Sequence, residues 1–192
     1  MRLSFCLLPF AFYILTPSSP AVLFQQGVTF PQFLARVSAQ RDVWLRNAAR
    51  IDIQVADIER LTRVRRGVRF LVVAEDWCPD SVHTVPYLAN LAADAGVPLR
   101  IVDRAAGDAL MARHRTRDGR KVTPTLVVLE NDRDVGAWIE RPAVLQALFF
   151  SMATDPENAR RFADRSAWYD ADRGRTTIAE VLALVERAAA QK

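Results

Sequence analysis

Short apolar runs alternate with longer helical patterns through the middle of the chain. Residues 70–74 form a bounded apolar run, which is typical of a strand buried in a parallel sheet. Strand and helix patterns then follow in turn, which favours an α/β domain with a largely parallel sheet. The turn at 131–134 predicts a hairpin and so an antiparallel edge. The predicted core elements are strand 68–75, helix 79–95, strand 98–103, helix 106–115, strand 125–130 and strand 135–140.

Helical patterns flank this core on both sides. One begins at Thr29, which suits an N-cap, with Pro31 in the first turn, and its apolar stripe runs on to Ala48. A second stretch ends in basic residues before Gly67. We expect this N-terminal extension to cover one face of the sheet, with a role in shaping a substrate site as the alternative. Three helical patterns follow the core: one opening at Arg141-Pro142, one over about 156–171, and one over 177–189 capped by Thr176 or Thr177.

The start of the chain resembles a leader sequence. Residues 1–21 comprise a basic residue, an apolar run and a small-residue end at Ser19-x-Ala21, as in a secretory signal peptide. The alternative is that translation begins near Val28, directly before the domain-like sequence. We predict a native start near position 28 and a cytoplasmic protein; export is the outcome if 1–21 are a cleaved signal peptide.

Composition and charge exclude several classes of function. The 192 residues carry 26 basic and 22 acidic side chains, and the net charge of +4 forms no basic block for nucleic acid. The leader is too short and too proline-broken for a stable membrane insertion. Two cysteines, Cys6 and Cys78, exclude a disulfide framework, and His83 and His114 have no metal-ligand spacing. We expect no metal and no cofactor.

Cys78 is the candidate reactive group. Pro79 follows it directly, and proline is favoured at the first position of a helix. Cys78 is therefore predicted to stand where a buried strand passes into a helix. The N–H groups and dipole of a helix start favour a thiolate over a thiol. The alternative is a buried, inert thiol.

Three segments carry a resemblance to known proteins. The sequence WCPDS at 77–81, after a hydrophobic strand, and VTPTLVV at 122–128 resemble the redox motif and the cis-proline strand of the thioredoxin superfamily. The single-cysteine form Trp-Cys-x-Asp and the tail WYDADRGRTT at 168–177 are more narrowly similar to poorly characterised bacterial thioredoxin-like proteins. The resemblance spans roughly 29–186. It implies a thioredoxin-like α/β fold, a central mixed sheet flanked by helices, with N- and C-terminal helical extensions.

The resemblance also implies roles for individual residues. Cys78 would be the nucleophile, and Ser81 occupies the place of the second, resolving cysteine of the family. A hydroxyl can stabilise the Cys78 thiolate, but it cannot displace a partner sulfur, so turnover needs an outside thiol. Many thioredoxins carry a buried acid where Val72 stands, so their proton relay is not expected in this chain.

Substrate contacts follow from the same comparison. In the superfamily the cis-proline loop faces the cysteine, and the residue before proline pairs with a bound peptide. Thr123 and Pro124 are thus the predicted docking wall, and X-Pro bonds are the usual hosts of cis peptides. Trp77 is expected to cover part of the site, and Pro79 completes the predicted substrate contacts.

Acidic side chains near the cysteine complicate this picture. Asp80 lies in the first helical turn, where acids are favoured by the dipole, yet a carboxylate near Cys78 would oppose thiolate formation. We expect Asp80 to be water-exposed and screened, so that the helix prevails. Asp76, with Glu75, is a second candidate modulator of the thiol. His83, one turn further on, is expected to be exposed and solvated rather than a catalytic base.

The sequence therefore predicts a monothiol oxidoreductase, a redox protein that exchanges thiols and disulfides through Cys78 with an external resolving thiol. The alternative is a non-catalytic module that keeps the peptide groove of the fold. Expected partners are protein or low-molecular-weight thiols and disulfides, with no nucleic acid. The predicted divisions are a leader at 1–27, an N-terminal helical extension at 28–67, the thioredoxin-like core at 68–151 and a C-terminal helical extension at 152–192.

Overall fold

The computed structural model describes residues 19–49 and 53–191. Cys6 and most of the predicted leader, residues 1–18, lie outside these ranges. The helices are α1 (Pro20–Gln26), α2 (Phe30–Arg36), α3 (Arg41–Ala49), α4 (Val55–Val64), α5 (Pro79–Ala95), α6 (Asp108–Arg113), α7 (Ala143–Ser151), α8 (Pro156–Ala163), α9 (Arg165–Asp172) and α10 (Arg175–Ala189). The strands are β1 (Val68–Val73), β2 (Leu99–Val102), β3 (Thr125–Glu130) and β4 (Arg133–Ile139).

In the described part of the chain, the four strands form one mixed sheet in the order β2-β1-β3-β4. The β1–β2 pair is parallel, whereas β1–β3 and β3–β4 are antiparallel. The mixed sheet with flanking helices is confirmed, but the expectation of a largely parallel sheet is wrong. The chain returns after α6 to the edge where β1 ends, so that Thr125 pairs with Val73 and β3 runs back along β1.

Two predicted helices are each divided in the structure. The stripe that begins at Thr29 forms α2 and α3, separated by a turn that includes Gln40 with φ of 53°. The segment 156–171 forms α8 and α9, because Asp164 ends one helix and begins the next. Neither break contains glycine or proline, so local sequence gives no breaker signal there.

The helices cover the two faces of the sheet unequally. Helices α3, α4, α5 and α10 contribute to the larger core, which includes Trp44, Leu61 and Phe70. The predicted role of the N-terminal extension in covering one face is thereby confirmed. The opposite face carries a smaller core, to which α1 and α6 contribute Phe24 and Met111.

Helix α1 lies inside the predicted leader. Leu23 and Phe24 are buried against the sheet, and Val28 exchanges backbone hydrogen bonds with Ile101 at 2.9 and 2.8 Å. Burial of these two side chains removes apolar surface from water and stabilises the described domain. The boundary at residue 27 remains a prediction about the native product.

The tail segment at 168–177 places its glycine against α5. Gly174 has φ of 77°, and a Cβ there would come within 2.3 Å of the Tyr87 ring, so a glycine is required. It caps α10, in place of the predicted Thr176 or Thr177. The Thr176 amide and hydroxyl instead donate to the Asp172 carboxylate. The tail thus fixes the start of α10 on the surface of α5.

Candidate functional site

Cys78 stands at the predicted junction between strand and helix. It is the N-cap of the 17-residue helix α5, with Pro79 at the first helical position. The Ser81 amide lies 3.5 Å from the Cys78 sulfur and donates to it. An N–H directed at sulfur in the first turn favours the charged thiolate. The sulfur is nevertheless shielded, because Cys78 is only 5% exposed.

The cis-proline segment lies against the same sulfur. The Thr123–Pro124 peptide bond is cis, and the Cys78 thiol donates to the Thr123 carbonyl oxygen at 3.1 Å. A carbonyl acceptor stabilises the protonated thiol, whereas the Ser81 amide stabilises the thiolate. The Cys78 sulfur therefore lies between two groups with opposite effects: the Thr123 carbonyl favours the thiol, and the Ser81 amide favours the thiolate.

The hydroxyl of Ser81 has a different position from the one expected. Ser81 is fully buried, but its amide rather than its hydroxyl contacts the sulfur. Its Oγ has no hydrogen-bond partner among the described residues. Burying a hydroxyl without a hydrogen-bond partner is unfavourable in free energy. The Ser81 hydroxyl is therefore available to bind a substrate group or the charged form of the Cys78 sulfur.

The structure corrects the expectation for Asp80. Its side chain is buried, not exposed to screening water. One oxygen accepts from the Arg141 guanidinium at 2.7 and 3.3 Å, and the other accepts from the Tyr169 hydroxyl at 2.8 Å. The partners are 61 and 89 residues away in sequence, so the local pattern around Asp80 contains no sign of them.

The ion pair belongs to a longer buried chain of charges. Arg141 also donates to Glu140 at 2.7 Å, and Glu140 accepts from Arg120 at 2.8 and 3.1 Å. Hydrogen bonds from Arg120 to Glu140 and Asp118 raise the pKa of the Arg120 guanidinium. The network runs from the Cys78 helix to the partly exposed loop around Asp118.

The acids before Cys78 are bound by other segments. The Asp76 carboxylate accepts from the Ser38 amide at 2.9 Å and the Ala39 amide at 3.0 Å. The hydrogen bond from the Ser38 amide is the main reason why the pKa of Asp76 lies below its ordinary value. Glu75 accepts from the Arg104 amide at 2.7 Å. Both acids are therefore engaged by backbone donors.

Two aromatic side chains near the cysteine differ in exposure. Trp77 is 56% exposed, with its carbonyl bound by Gln40. His83 is only 7% exposed, so the expectation of a solvated histidine is wrong. Its ring stacks on Tyr169 with centroids 4.9 Å apart, and Asn47 lies 3.5 Å from its Nδ1. Burial on the inner side of α5 explains the difference.

Three further observations concern a cavity near the cysteine motif, metal binding and membrane-spanning helices. A cavity of about 360 Å³ lies beside the motif loop and is lined in part by Phe33, Ala74 and Asp76. Within residues 19–49 and 53–191, no group of three or more His, Cys, Asp or Glu side chains is arranged to hold a metal. None of the helices in these ranges has the length and apolar character needed to cross a bilayer.

The cysteine at a helix start beside a cis-proline agrees with the sequence comparison. Residues 27–160 match the sequence profile of a family described as Thioredoxin. The chain belongs to the thioredoxin family. None of the curated proteins gives a significant match.

Solved structures extend the similarity of this thioredoxin-family chain beyond the profile. A protein of unknown function from Pseudomonas aeruginosa aligns with a TM-score of 0.70 and 26% identity, over 89% of this chain and 99% of its own. An HIV epitope scaffold aligns with a TM-score of 0.68 and 27% identity, over 88% of this chain and 98% of its own. The alignments reach beyond residues 27–160, so part of the helical extensions is shared.

Sequence reasoning missed the partners of Asp80. The sequence pattern connects Arg141 with a helix opening and Tyr169 with the tail resemblance, and it gives no sign that either residue belongs to the site. The tail segment at 168–177 was the available signal, because its tyrosine reaches the Cys78 helix through Asp80. Asn47, fully buried on α3, gave no signal of its contact with His83.

Proposed function

We propose that this thioredoxin-like protein is a monothiol exchanger of thiols and disulfides. The observation that carries the proposal is the position of the Cys78 sulfur, between the Ser81 amide and the carbonyl that precedes cis-Pro124. The amide supports the thiolate, and the cis-proline segment offers a wall for a bound substrate. The family membership supports a thioredoxin-like role.

The proposed reaction has two balanced steps. The Cys78 thiolate attacks one sulfur of a disulfide, forms a mixed disulfide and releases the other sulfur as a thiolate. An external thiolate then attacks the mixed disulfide at the substrate sulfur, which restores the Cys78 thiolate. No net oxidant is consumed, because one disulfide is exchanged for another. The outside thiol is needed because Ser81 has no sulfur to complete the second step.

Deprotonation changes the surroundings of the sulfur. The neutral thiol donates to the Thr123 carbonyl, and a thiolate has no proton for that bond. The unpartnered Ser81 hydroxyl then becomes a donor for the charged sulfur. In this proposal Cys78 and Ser81 are the catalytic residues.

Substrate contacts are proposed around this pair. The proposed contacts are Trp77 and Pro79, which adjoin Cys78 in sequence, and the cis-proline segment Thr123–Pro124, whose carbonyl contacts the sulfur. The exposed ring of Trp77 offers an apolar contact. The partners are protein or low-molecular-weight thiols and disulfides.

Mass spectrometry tests the proposal directly. The protein is incubated with oxidised glutathione, and a glutathione adduct on Cys78 is expected, followed by its release with reduced glutathione. Cys78→Ser is the matched control and should give no adduct. An intact Cys78 that forms no adduct under conditions where free cysteine reacts would contradict the proposal.

The missing second sulfur provides a second test. Ser81→Cys should create an internal dithiol and raise the rate of protein disulfide reduction with dithiothreitol. The wild type should be slow in the same assay. Equal rates for the two proteins would show that the absent resolving thiol is not limiting.

A binding module is the second candidate. The low exposure of Cys78 and the hydrogen bond from its thiol to the Thr123 carbonyl both favour a neutral, unreactive sulfur. In that case Trp77 and the cis-proline segment would bind a peptide without sulfur chemistry. Slow alkylation of Cys78 near pH 7, together with no adduct, would favour this function.

We also propose a cytoplasmic protein that begins near Val28. The single cysteine in the described ranges is unpaired, which suits a reducing compartment. Leu23 and Phe24, which are buried in α1, support the alternative of an earlier start, because a chain that begins at Val28 would lack both side chains. N-terminal sequencing of the native product decides between them, and a mature end at Val22 in an exported fraction would contradict the cytoplasmic location.

A further inference from the structure

The immediate surroundings of Asp80 point to a function for the C-terminal extension. Asp80 lies two residues beyond Cys78 and has a buried carboxylate. A buried, uncompensated carboxylate in this position would oppose the ionisation of the neighbouring thiol. Instead, Arg141 and Tyr169 occupy both carboxylate oxygens. The Tyr169 contact joins the tail segment at 168–177 to the Cys78 helix.

We propose that Arg141 and Tyr169 are positioning residues for the Cys78 thiolate, because they hold Asp80 in a charge-compensated pair that does not oppose the sulfur. The inference rests on the proposed thiol exchange, and it concerns how the ionisation of Cys78 is controlled at that same site. Neither residue is proposed to touch the substrate.

The charges around Asp80 indicate that its negative charge is compensated by neighbouring cations. Arg141 lies between two acids, Asp80 and Glu140, and Glu140 is bound in turn by Arg120. Two acids and two bases thus alternate, and Asp80, on the Cys78 helix, faces a guanidinium. The neighbouring titratable groups on the other contacting elements are Tyr169, His83, Glu75, Asp76 and the more distant Asp118.

Compensation by Arg141 has a definite electrostatic sign. Without the guanidinium, the Asp80 carboxylate would have only the Tyr169 hydroxyl as a partner. Its uncompensated charge would oppose the thiolate, which would then form at higher pH. Without the Asp80 charge, the guanidinium would retain Glu140 alone, and the thiolate would form at lower pH. If both charges were removed together, the two effects would cancel.

Tyr169 contributes a donor that does not titrate with the thiol. Burial raises the pKa of Tyr169, and the Asp80 charge raises it further. The hydroxyl therefore stays protonated and keeps donating to Asp80 through the pH range in which cysteine ionises. Its ring also stacks on His83, a contact that a phenylalanine would retain.

The test is a double-mutant cycle read by the pH dependence of iodoacetamide alkylation at Cys78. The four proteins are the wild type, Arg141→Gln, Asp80→Asn and the double variant. We expect the midpoint of the profile to rise by about one pH unit in Arg141→Gln and to fall in Asp80→Asn. The double variant should return close to the wild type. A purely structural role would move both single variants in the same direction, through greater exposure of the sulfur.

Further variants keep the test decisive if Arg141→Gln does not fold. Arg141→Lys retains the charge and should leave the midpoint near that of the wild type. Tyr169→Phe should raise the midpoint by less than Arg141→Gln would. Arg113→Gln removes an exposed arginine that pairs with Asp134, and it is the matched control. It should not change the profile.

Three results would overturn the inference: an unshifted midpoint in Arg141→Gln and Asp80→Asn, shifts of the same sign in both, or a double variant that fails to return. If only Arg141→Gln fails to fold, unshifted midpoints in both Asp80→Asn and Tyr169→Phe have the same consequence. Alkylation does not require turnover. A cycle that behaves as expected without any glutathione adduct would therefore contradict the proposed function and leave the positioning role intact.

Discussion

Two acids flank Cys78, and each is bound by residues from a different part of the chain. Asp76, before the cysteine, accepts hydrogen bonds from Ser38 and Ala39 in the turn between α2 and α3. These donors are neutral backbone and hydroxyl groups. They stabilise the charged carboxylate and lower the pKa of Asp76, but they do not cancel its charge.

Asp80, after the cysteine, is bound by a cation. Arg141 supplies a buried guanidinium, and Tyr169 supplies a hydroxyl from α9. An acid that is removed from water requires such a partner, because burial of an isolated charge is very unfavourable. The comparison shows that the influence of an acid on a neighbouring thiol depends on the partners and the burial of that acid. Its position in the sequence alone does not reveal this influence.

The largest effect should come from breaking the buried pair. Arg141→Gln should lower the free energy of unfolding by about 3–5 kcal/mol, since it leaves Asp80 buried without a counterion. The double variant with Asp80→Asn should be less destabilised than Arg141→Gln alone. Urea denaturation of the three proteins measures this coupling, and additive losses would indicate that the two side chains do not stabilise each other.

Removal of the neutral donor on the same side should have a smaller effect. Tyr169→Phe deletes one hydrogen bond to the buried Asp80 carboxylate and should lower the free energy of unfolding by about 1–3 kcal/mol. Trp168→Phe is the matched control, because Trp168 has an edge contact with the Tyr169 ring and does not donate to Asp80. A loss in Trp168→Phe as large as that in Tyr169→Phe would assign the effect to ring packing.

The smallest effect is expected on the other side of the cysteine. Asp76→Asn weakens hydrogen bonds at a less buried carboxylate and should lower the free energy of unfolding at pH 7 by about 1 kcal/mol. The pKa of Asp76 is lowered in the folded state, so its contribution is present above the unfolded value near 3.8 and is lost as the pH falls through the lower folded value.

The pH dependence of that variant sharpens the comparison. The difference in stability between the wild type and Asp76→Asn should be largest near neutral pH and should shrink as the pH falls below about 4. Urea denaturation at several pH values measures it. Ser38→Ala, which removes only the hydroxyl donor, should show a smaller difference of the same sign. A difference that grows toward acidic pH would contradict the assigned direction.

Much of the fold could be predicted because its signals are local. The apolar run at 70–74 coincides with most of β1, and Cys78 before Pro79 predicted the start of α5. The breaks at Gln40 and Asp164 could not be predicted in the same way. The first comes directly after Ser38 and Ala39, whose amides donate to Asp76, and the second is a junction of two helices without glycine or proline.

Sequence alone determined the thioredoxin-like character of the chain, the cysteine at a helix start and the serine in place of a resolving cysteine. These are statements about residue type and spacing, which local structure preserves. Only the tertiary structure decided the state of Asp80, the burial of His83 and the participation of Tyr169. The physical reason is that burial and charge compensation depend on partners that the fold brings together from distant parts of the chain.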